Sequence, residues 1–216
     1  MSDNPKLIEI FQTEKNNEDI KNTILENITK MLTERGLLDK KNLNKNIEQL
    51  VRTKSNDNTY TIKVDYPTNP NQKMIAIKIT HHKITAITKQ PIINDFINKY
   101  KNMHKIIVIK DINLKAEQYI TSKKENEQIT EIFREREFLI NMVDHIDVPK
   151  YEIYRQNSPQ YLEFFEEYNL KEHQVGRLYV SDPLARYYNV QIGDLVKVIR
   201  KSSTTGKSFG FRLCIK

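Results

Sequence analysis

The chain has 216 residues, enough for one or two domains with cores of their own, and its hydrophobic content of 38% and mean hydropathy of −0.66 describe a rather polar protein. Its formal charge of +7, from 35 Lys+Arg against 28 Asp+Glu, permits nucleic-acid contact without demanding it, because the lysines are spread along the chain. No apolar run approaches the roughly 20 residues of a membrane span; the stretch from Met1 to Ile20 lacks a secretion signal's basic start and apolar block; and a lone cysteine, Cys214, excludes an internal disulfide framework and argues for a reducing compartment.

Residues 1–17 are polar and aperiodic and read as a flexible tail. From Glu18 the spacing of Ile20, Ile24, Ile28, Met31 and Leu32 predicts a helix, ended by Gly36. Asp39 can cap a second helix with Leu43, Ile47, Leu50 and Val51 on its apolar side. The period then changes to two. Tyr60, Ile62, Val64 and Tyr66, then a turn at Pro67 to Pro70, then Ile75, Ile77 and Ile79, predict an antiparallel pair. Pro91 suits the first turn of a helix carrying Ile92, Ile93, Phe96, Ile97 and Tyr100. Lys105 to Lys110 (KIIVIK) is a continuous apolar run that suits a strand covered on both faces, as in a parallel β-α-β arrangement. A helix from about Leu114 to Lys123 and a strand near Ile129 to Phe133 complete this layer.

Around Asn141 to Pro149 the character changes. Ser158-Pro159 and Asp182-Pro183 are each a cap followed by a proline at the first helical position. Gly193 and Asp194 turn the chain into a strand from Leu195 to Arg200. The fold class read from this is mixed α+β and α/β: a flexible tail over 1–17, an α/β domain with a mixed sheet over 18–142, and a small α+β domain over 143–216 that ends in a β-hairpin.

The hairpin loop imitates a phosphate-binding loop in Gly206, Lys207 and Ser208, but Lys201 stands where the first glycine is required. Phe209, Phe211, Leu213 and Ile215 then recur at every second position, which is a strand and not the helix whose N-terminus would hold a phosphate. Gly206 therefore reads as a positive-φ turn residue.

No catalytic set is evident, and neither metal nor cofactor is expected. His81 and His82 are adjacent and leave a strand on opposite faces, and His104, His145 and His173 are scattered without a joining Asp/Glu spacing. Cys214 has no sequence-near base and reads as an ordinary small residue. Glu131, Glu135 and Glu137 alternate with Arg134 and Arg136, a pattern more typical of a solvated face than of a catalytic cluster. An Mg²⁺-dependent nuclease remains the enzymatic alternative, with Asp65 and Glu131 as its first candidates.

The C-terminal stretch resembles the small subunit shared by the eukaryotic nuclear RNA polymerases I, II and III, which has a shorter archaeal counterpart. The resemblance is carried by Leu170 to Leu178 (LKEHQVGRL), Asp182, Pro183, Ala185, Arg186, Tyr187 and Tyr188, and continues through Gly193, Val196, Lys197, Ile199, Arg200, Lys201, Ser202, Thr204, Gly206, Arg212 and Leu213. Upstream it is weaker: Thr33 to Leu38 (TERGLL), KIIVIK, and Phe138 to Pro149 fall in the order of the eukaryotic form. Ser203, Val175-Gly176 and the Asn113-Leu114 loop depart from the usual Glu, Leu-Pro and proline.

The resemblance implies a non-catalytic, hetero-oligomeric subunit whose C-terminal domain docks on the largest polymerase subunit, alongside the other subunits, and whose N-terminal domain forms part of the lower jaw near downstream duplex DNA. It makes Asp182, Pro183, Ala185, Arg186, Tyr187, Tyr188, Gly193, Arg200, Gly206 and Arg212 the partner-binding candidates. Lys110, Asn113, Leu114 and Lys115 become the DNA-proximal ones, with sequence-independent contacts. The archaeal form lacks the N-terminal region, so the resemblance points to a eukaryotic cell or, given the Asn/Ile/Lys-rich N-terminal half, a large eukaryotic DNA virus. The expected location is the nucleus in the first case and the virion or cytoplasmic virus factory in the second. A free-standing regulator that binds the polymerase is the remaining alternative.

Overall fold

The computed structural model describes residues 16–39, 42–53, 57–64, 74–84, 91–122, 129–145 and 147–216. The tail up to residue 15, Asp65, Tyr66, the turn Pro67 to Pro70 and Lys123 lie outside the described residues. Helix α1 (Asn17–Glu34) is followed by α2 (Leu43–Arg52), β1 (Thr59–Lys63), β2 (Met74–Ile84), α3 (Pro91–Lys99), β3 (His104–Ile112), α4 (Leu114–Ser122), β4 (Thr130–Arg134) and the short α5 (Glu135–Phe138). Then come β5 (Lys150–Tyr154), α6 (Pro159–Glu167), β6 (Gly176–Tyr179), α7 (Pro183–Tyr187), β7 (Leu195–Ser202) and β8 (Gly206–Ile215).

The first sheet has the order β1-β2-β3-β4, antiparallel between β1 and β2 and parallel across β2, β3 and β4. The β3 run is covered on both faces, as its unbroken apolar composition predicts. Ile106 and Val108 enter one core with α1, while Ile107 and Ile109 enter another with Ile93 and Phe96 of α3 and Ala116 and Ile120 of α4. Strand β2 is also buried on both faces, beyond what its alternation of isoleucines suggests. Ala76 and Lys78 occupy the alternate positions and are both buried; burial lowers the Lys78 ammonium's pKa, and its hydrogen bond goes to the Asp57 carbonyl. Lys105 is likewise buried at 1% exposure, with its ammonium on the carbonyls of Tyr100 (3.3 Å) and Met103 (3.1 Å). In both lysines the long aliphatic stem is buried while backbone oxygens receive the charge.

α1 buries Ile24, Ile28, Met31 and Leu32 as expected, and ends in a Schellman motif. Gly36 sits at φ +74°, the Leu37 N–H donates to the Leu32 carbonyl, and the Gly36 N–H to the Thr33 carbonyl.

The second sheet, β5-β7-β8-β6, contains the expected hairpin plus two short strands with no clear sequence signal, β5 and β6. Ser158 caps α6 by accepting from the Tyr161 N–H, and Asp182 caps α7 by accepting from Leu184 and Ala185 N–H. Val196, Val198 and Cys214 face the same core as α1, whereas Leu195 and Leu213 face Tyr161 and Phe164 of α6. One hydrophobic core thus draws on α1, the first sheet, α7 and the second sheet together. Burial at 1% exposure pushes the Cys214 thiol up to about 11.

Candidate assembly surface

At the C-terminal end of α1, Arg35 forms a clasp. Its Nε donates to the Tyr187 carbonyl at 2.7 Å and one Nη to the Arg186 carbonyl at 2.9 Å. The guanidinium fork grips both oxygens of Glu131 in β4, at 2.8 and 2.7 Å. One of those oxygens also meets His104 Nε2 at 2.6 Å. Burial pulls the Glu131 carboxyl towards protonation, but the Arg35 guanidinium and His104 outweigh it and hold the carboxyl well below the usual carboxylate range. Glu131 is therefore no solvated charge: the side chains of Arg35, Glu131 and His104 are 4%, 11% and 2% exposed. A second histidine–carboxylate pair joins His81 Nδ1 to Glu135 at 2.5 Å. Neither pairing shows in the spacing of histidines and carboxylates along the sequence. The partners meet through parallel strand pairing and the β4–α5 corner, which sequence separation conceals.

Arg186 crosses the same seam. Its guanidinium bonds the Ile132 carbonyl, stands 3.4 Å from Glu137 and lies 5.1 Å above the Phe133 ring. Nearby, Asn27 Nδ2 reaches the Phe138 carbonyl at 2.7 Å, and Tyr187 donates its hydroxyl to Asn141 at 3.3 Å. Sequence pattern assigns no role to Arg35, Asn27 or His104; the signal available was an arginine before the capping glycine in TERGLL.

Among the partner-binding candidates, Ala185, Tyr187 and Tyr188 lie in the core, and Arg186 is committed within the chain. Tyr151 stacks on Tyr188 at 5.7 Å, and burial pushes the Tyr188 hydroxyl up to about 12. Asp182 is spent on the α7 cap. Gly193 takes φ +92° at the turn before Asp194, whose carboxylate is buried and accepts from Arg155 (2.6 Å) and from the N–H groups of Gln156 and Gln191 (3.1 and 2.8 Å). What faces solvent is Pro183 and the hairpin: Arg200, Gly206 at φ +74°, and Arg212. Phe209 is 64% exposed beside them.

The DNA-proximal candidates come together at the other end of the molecule's first sheet. Lys110 is near the end of β3, Asn113 precedes α4, and Leu114 and Lys115 open it; all four are exposed. The Asn113 carbonyl accepts from Ala116 and Glu117 N–H, which fixes the turn.

Comparison with known proteins bears directly on this geometry. The model of "RNA polymerase Rpb5, C-terminal domain" matches residues 140–214, the part that holds the second sheet with α6 and α7. The mimivirus protein "DNA-directed RNA polymerase subunit 5", of Acanthamoeba polyphaga mimivirus, is 32% identical over 217 residues, covering 95% of this chain and 97% of the viral protein. The chain belongs to the Rpb5 family of DNA-directed RNA polymerase subunits. A Dictyostelium discoideum relative, "DNA-directed RNA polymerases I, II, and III subunit rpabc1", is 32% identical over 163 residues, 75% of this chain and 76% of its own length. The Rpb5 relationship thus reaches well beyond the C-terminal match and takes in the layer that supplies Arg35, His104 and Glu131 to the clasp.

Proposed function

We propose that the protein is a structural, non-catalytic subunit of a multisubunit DNA-directed RNA polymerase, with its C-terminal part docking on the largest subunit and its N-terminal layer forming part of the lower jaw. The end-to-end alignment with the mimivirus polymerase subunit carries this reading, and that relative favours a polymerase that transcribes viral genes. The exposed hairpin cations Arg200 and Arg212, with Pro183 of α7, would meet the large subunit. Lys110 and Lys115 would meet the phosphates of downstream duplex DNA, without base readout and with strong salt dependence. A nuclease built on Glu131 is disfavoured, because both of its oxygens are already held by Arg35 and His104.

The test is purification of the polymerase from the native source. The protein should co-elute with the two largest subunits at equimolar ratio and show no nuclease activity with Mg²⁺ and DNA when isolated. A substoichiometric, salt-labile association would instead indicate a regulator. Charge reversal at Lys110 and Lys115 should weaken crosslinking to downstream DNA while leaving co-elution intact; unchanged crosslinking would remove the jaw contact.

A further inference from the structure

The β7–β8 hairpin runs past both of its neighbours. β5 reaches Ile199 and β6 begins beside Arg212, so among the described residues Arg200–Ser202 pair only with Gly206–Ser208, and Phe209–Phe211 pair only with Lys197–Ile199. Bonds at the base of the hairpin fix which way the backbone groups point. The Cys214 N–H donates to the Asp194 carbonyl at 2.8 Å, and the Cys214 carbonyl accepts from Gly193 N–H at 2.9 Å. The Ile215 carbonyl instead accepts from Val180 N–H, at 2.9 Å, beyond β6. Cys214 therefore faces β7 and Ile215 faces away from it. The β7–β8 register is unbroken, so alternation turns the peptide groups of Phe209 and Phe211 outward too. The Phe211 carbonyl points to the start of β6, 3.4 Å from where a Cβ on Gly176 would stand. The N–H and carbonyl of Phe209 and the N–H of Phe211 are left on an edge with no strand beside it among the described residues. Every residue from Ser203 to Gly210 is exposed, and Phe211 is half-buried with its ring packed on Phe164 of α6 at 4.3 Å.

Charge selects the occupant. From Leu195 to Lys216 the chain carries Lys197, Arg200, Lys201, Lys207, Arg212 and Lys216 and no Asp or Glu. Lys197 is matched by Glu152 of β5 at 3.1 Å. A second copy laid edge to edge would set like charges against each other, the arrangement that protects natural sheet edges from self-pairing. Nucleic acid suits the cations but not the edge: phosphates only accept, and one placed here would face the Phe209 carbonyl. A polypeptide strand offers donors and acceptors in alternation. Gly210, opposite Val198, opens a notch of about 190 Å³ between Arg200 and Arg212, with room for a partner side chain.

We propose that the outer edge of β8 at Phe209–Phe211 receives an extended, acidic segment of a partner polypeptide as an added strand, with Lys207, Arg200 and Arg212 meeting its carboxylates. This rests on the polymerase-subunit reading and specifies how, and with what chemistry, that docking is made.

Hydrogen exchange, read amide by amide on the isolated full chain and on purified polymerase containing it, tests the proposal. The Phe209 and Phe211 amides should exchange freely in the isolated chain and at least about 100-fold more slowly in the complex. The Ser208 and Gly210 amides, bonded to β7 in both states, serve as internal reference. The Lys207→Glu/Arg212→Glu double variant, with an unchanged unfolding midpoint, should lose at least about tenfold in retention by the polymerase at moderate salt. Equimolar incorporation with both outer amides still exchanging freely would overturn strand addition while leaving the subunit reading intact. Full retention of the double variant would overturn the acidic character of the segment. Slowed exchange in the isolated chain on adding duplex DNA alone would overturn the choice of polypeptide. Absence of the chain from the polymerase would overturn the subunit reading itself, and this inference with it.

Discussion

Replacing Arg35 with methionine keeps much of the side chain's volume and removes every donor of the clasp. The wild-type guanidinium makes two bonds to Glu131 and one each to the Tyr187 and Arg186 carbonyls, and is 4% exposed. Glu131 would be left largely buried with His104 as its remaining partner. Removing one member of a buried, hydrogen-bonded ion pair costs about 3–5 kcal/mol, a large share of the roughly 5–15 kcal/mol that holds a domain together. Urea unfolding followed by far-ultraviolet circular dichroism measures the loss. A double-mutant cycle with Glu131→Gln should give a coupling on the order of 1–3 kcal/mol. The pH dependence carries a second signature. The Glu131 carboxyl is depressed in the folded state, so the stability it contributes is present above its unfolded value of 4.5 and is lost as pH falls below that value. Wild type should therefore lose stability steeply with acid, and Arg35→Met less steeply. A loss below about 1 kcal/mol, the level of an exposed ion pair, with an unchanged acid slope, would refute the account of the clasp.

Three further outcomes follow from single sites. Gly206→Val should lower stability by about 1–2 kcal/mol, because a Cβ there meets nothing within 4 Å and the penalty is one of backbone conformation alone; Gly206→Asn should cost less than half as much in the same urea titration. Asp194→Ala removes the acceptor of the Gln156 and Gln191 N–H groups, while Arg155 keeps the Asn189 carbonyl and solvent; calorimetry should show a destabilisation of about 1–3 kcal/mol, with Asp194→Asn intermediate. Cys214, buried and with its thiol pushed up to about 11, should react with iodoacetamide at pH 8 at least about tenfold more slowly in the native chain than in urea, and mass spectrometry reads the single adduct directly.

Much of the fold can be read from local pattern. KIIVIK announces a doubly covered strand because no polar residue interrupts it, and Ser158-Pro159 and Asp182-Pro183 announce helix starts because cap and proline act within one turn. The clasp is not legible in this way. Arg35 and Glu131 are 96 residues apart and Glu131 and His104 are 27 apart, and nothing local distinguishes Glu131 from the acidic and basic residues around it. β5 and β6 are hidden by their shortness, since KYEIY and GRLY are too brief for a period to show. Tyr187 and Tyr188 could serve a core or an interface equally well on sequence grounds; only the placement of α7 against α1 and the second sheet decides for the interior.

The shared core has a consequence for synthesis. α1 and the first sheet are translated early, yet the apolar surface they present is completed by Ala185, Tyr187, Val196 and Cys214, near the other end of the polypeptide. A chain made only as far as β4 therefore holds Arg35 and Glu131 but lacks both the α7 carbonyls that Arg35 grips and the apolar side chains that cover this face. Until those later elements pack on it, that face is the kind of exposed apolar surface that invites aggregation or a chaperone.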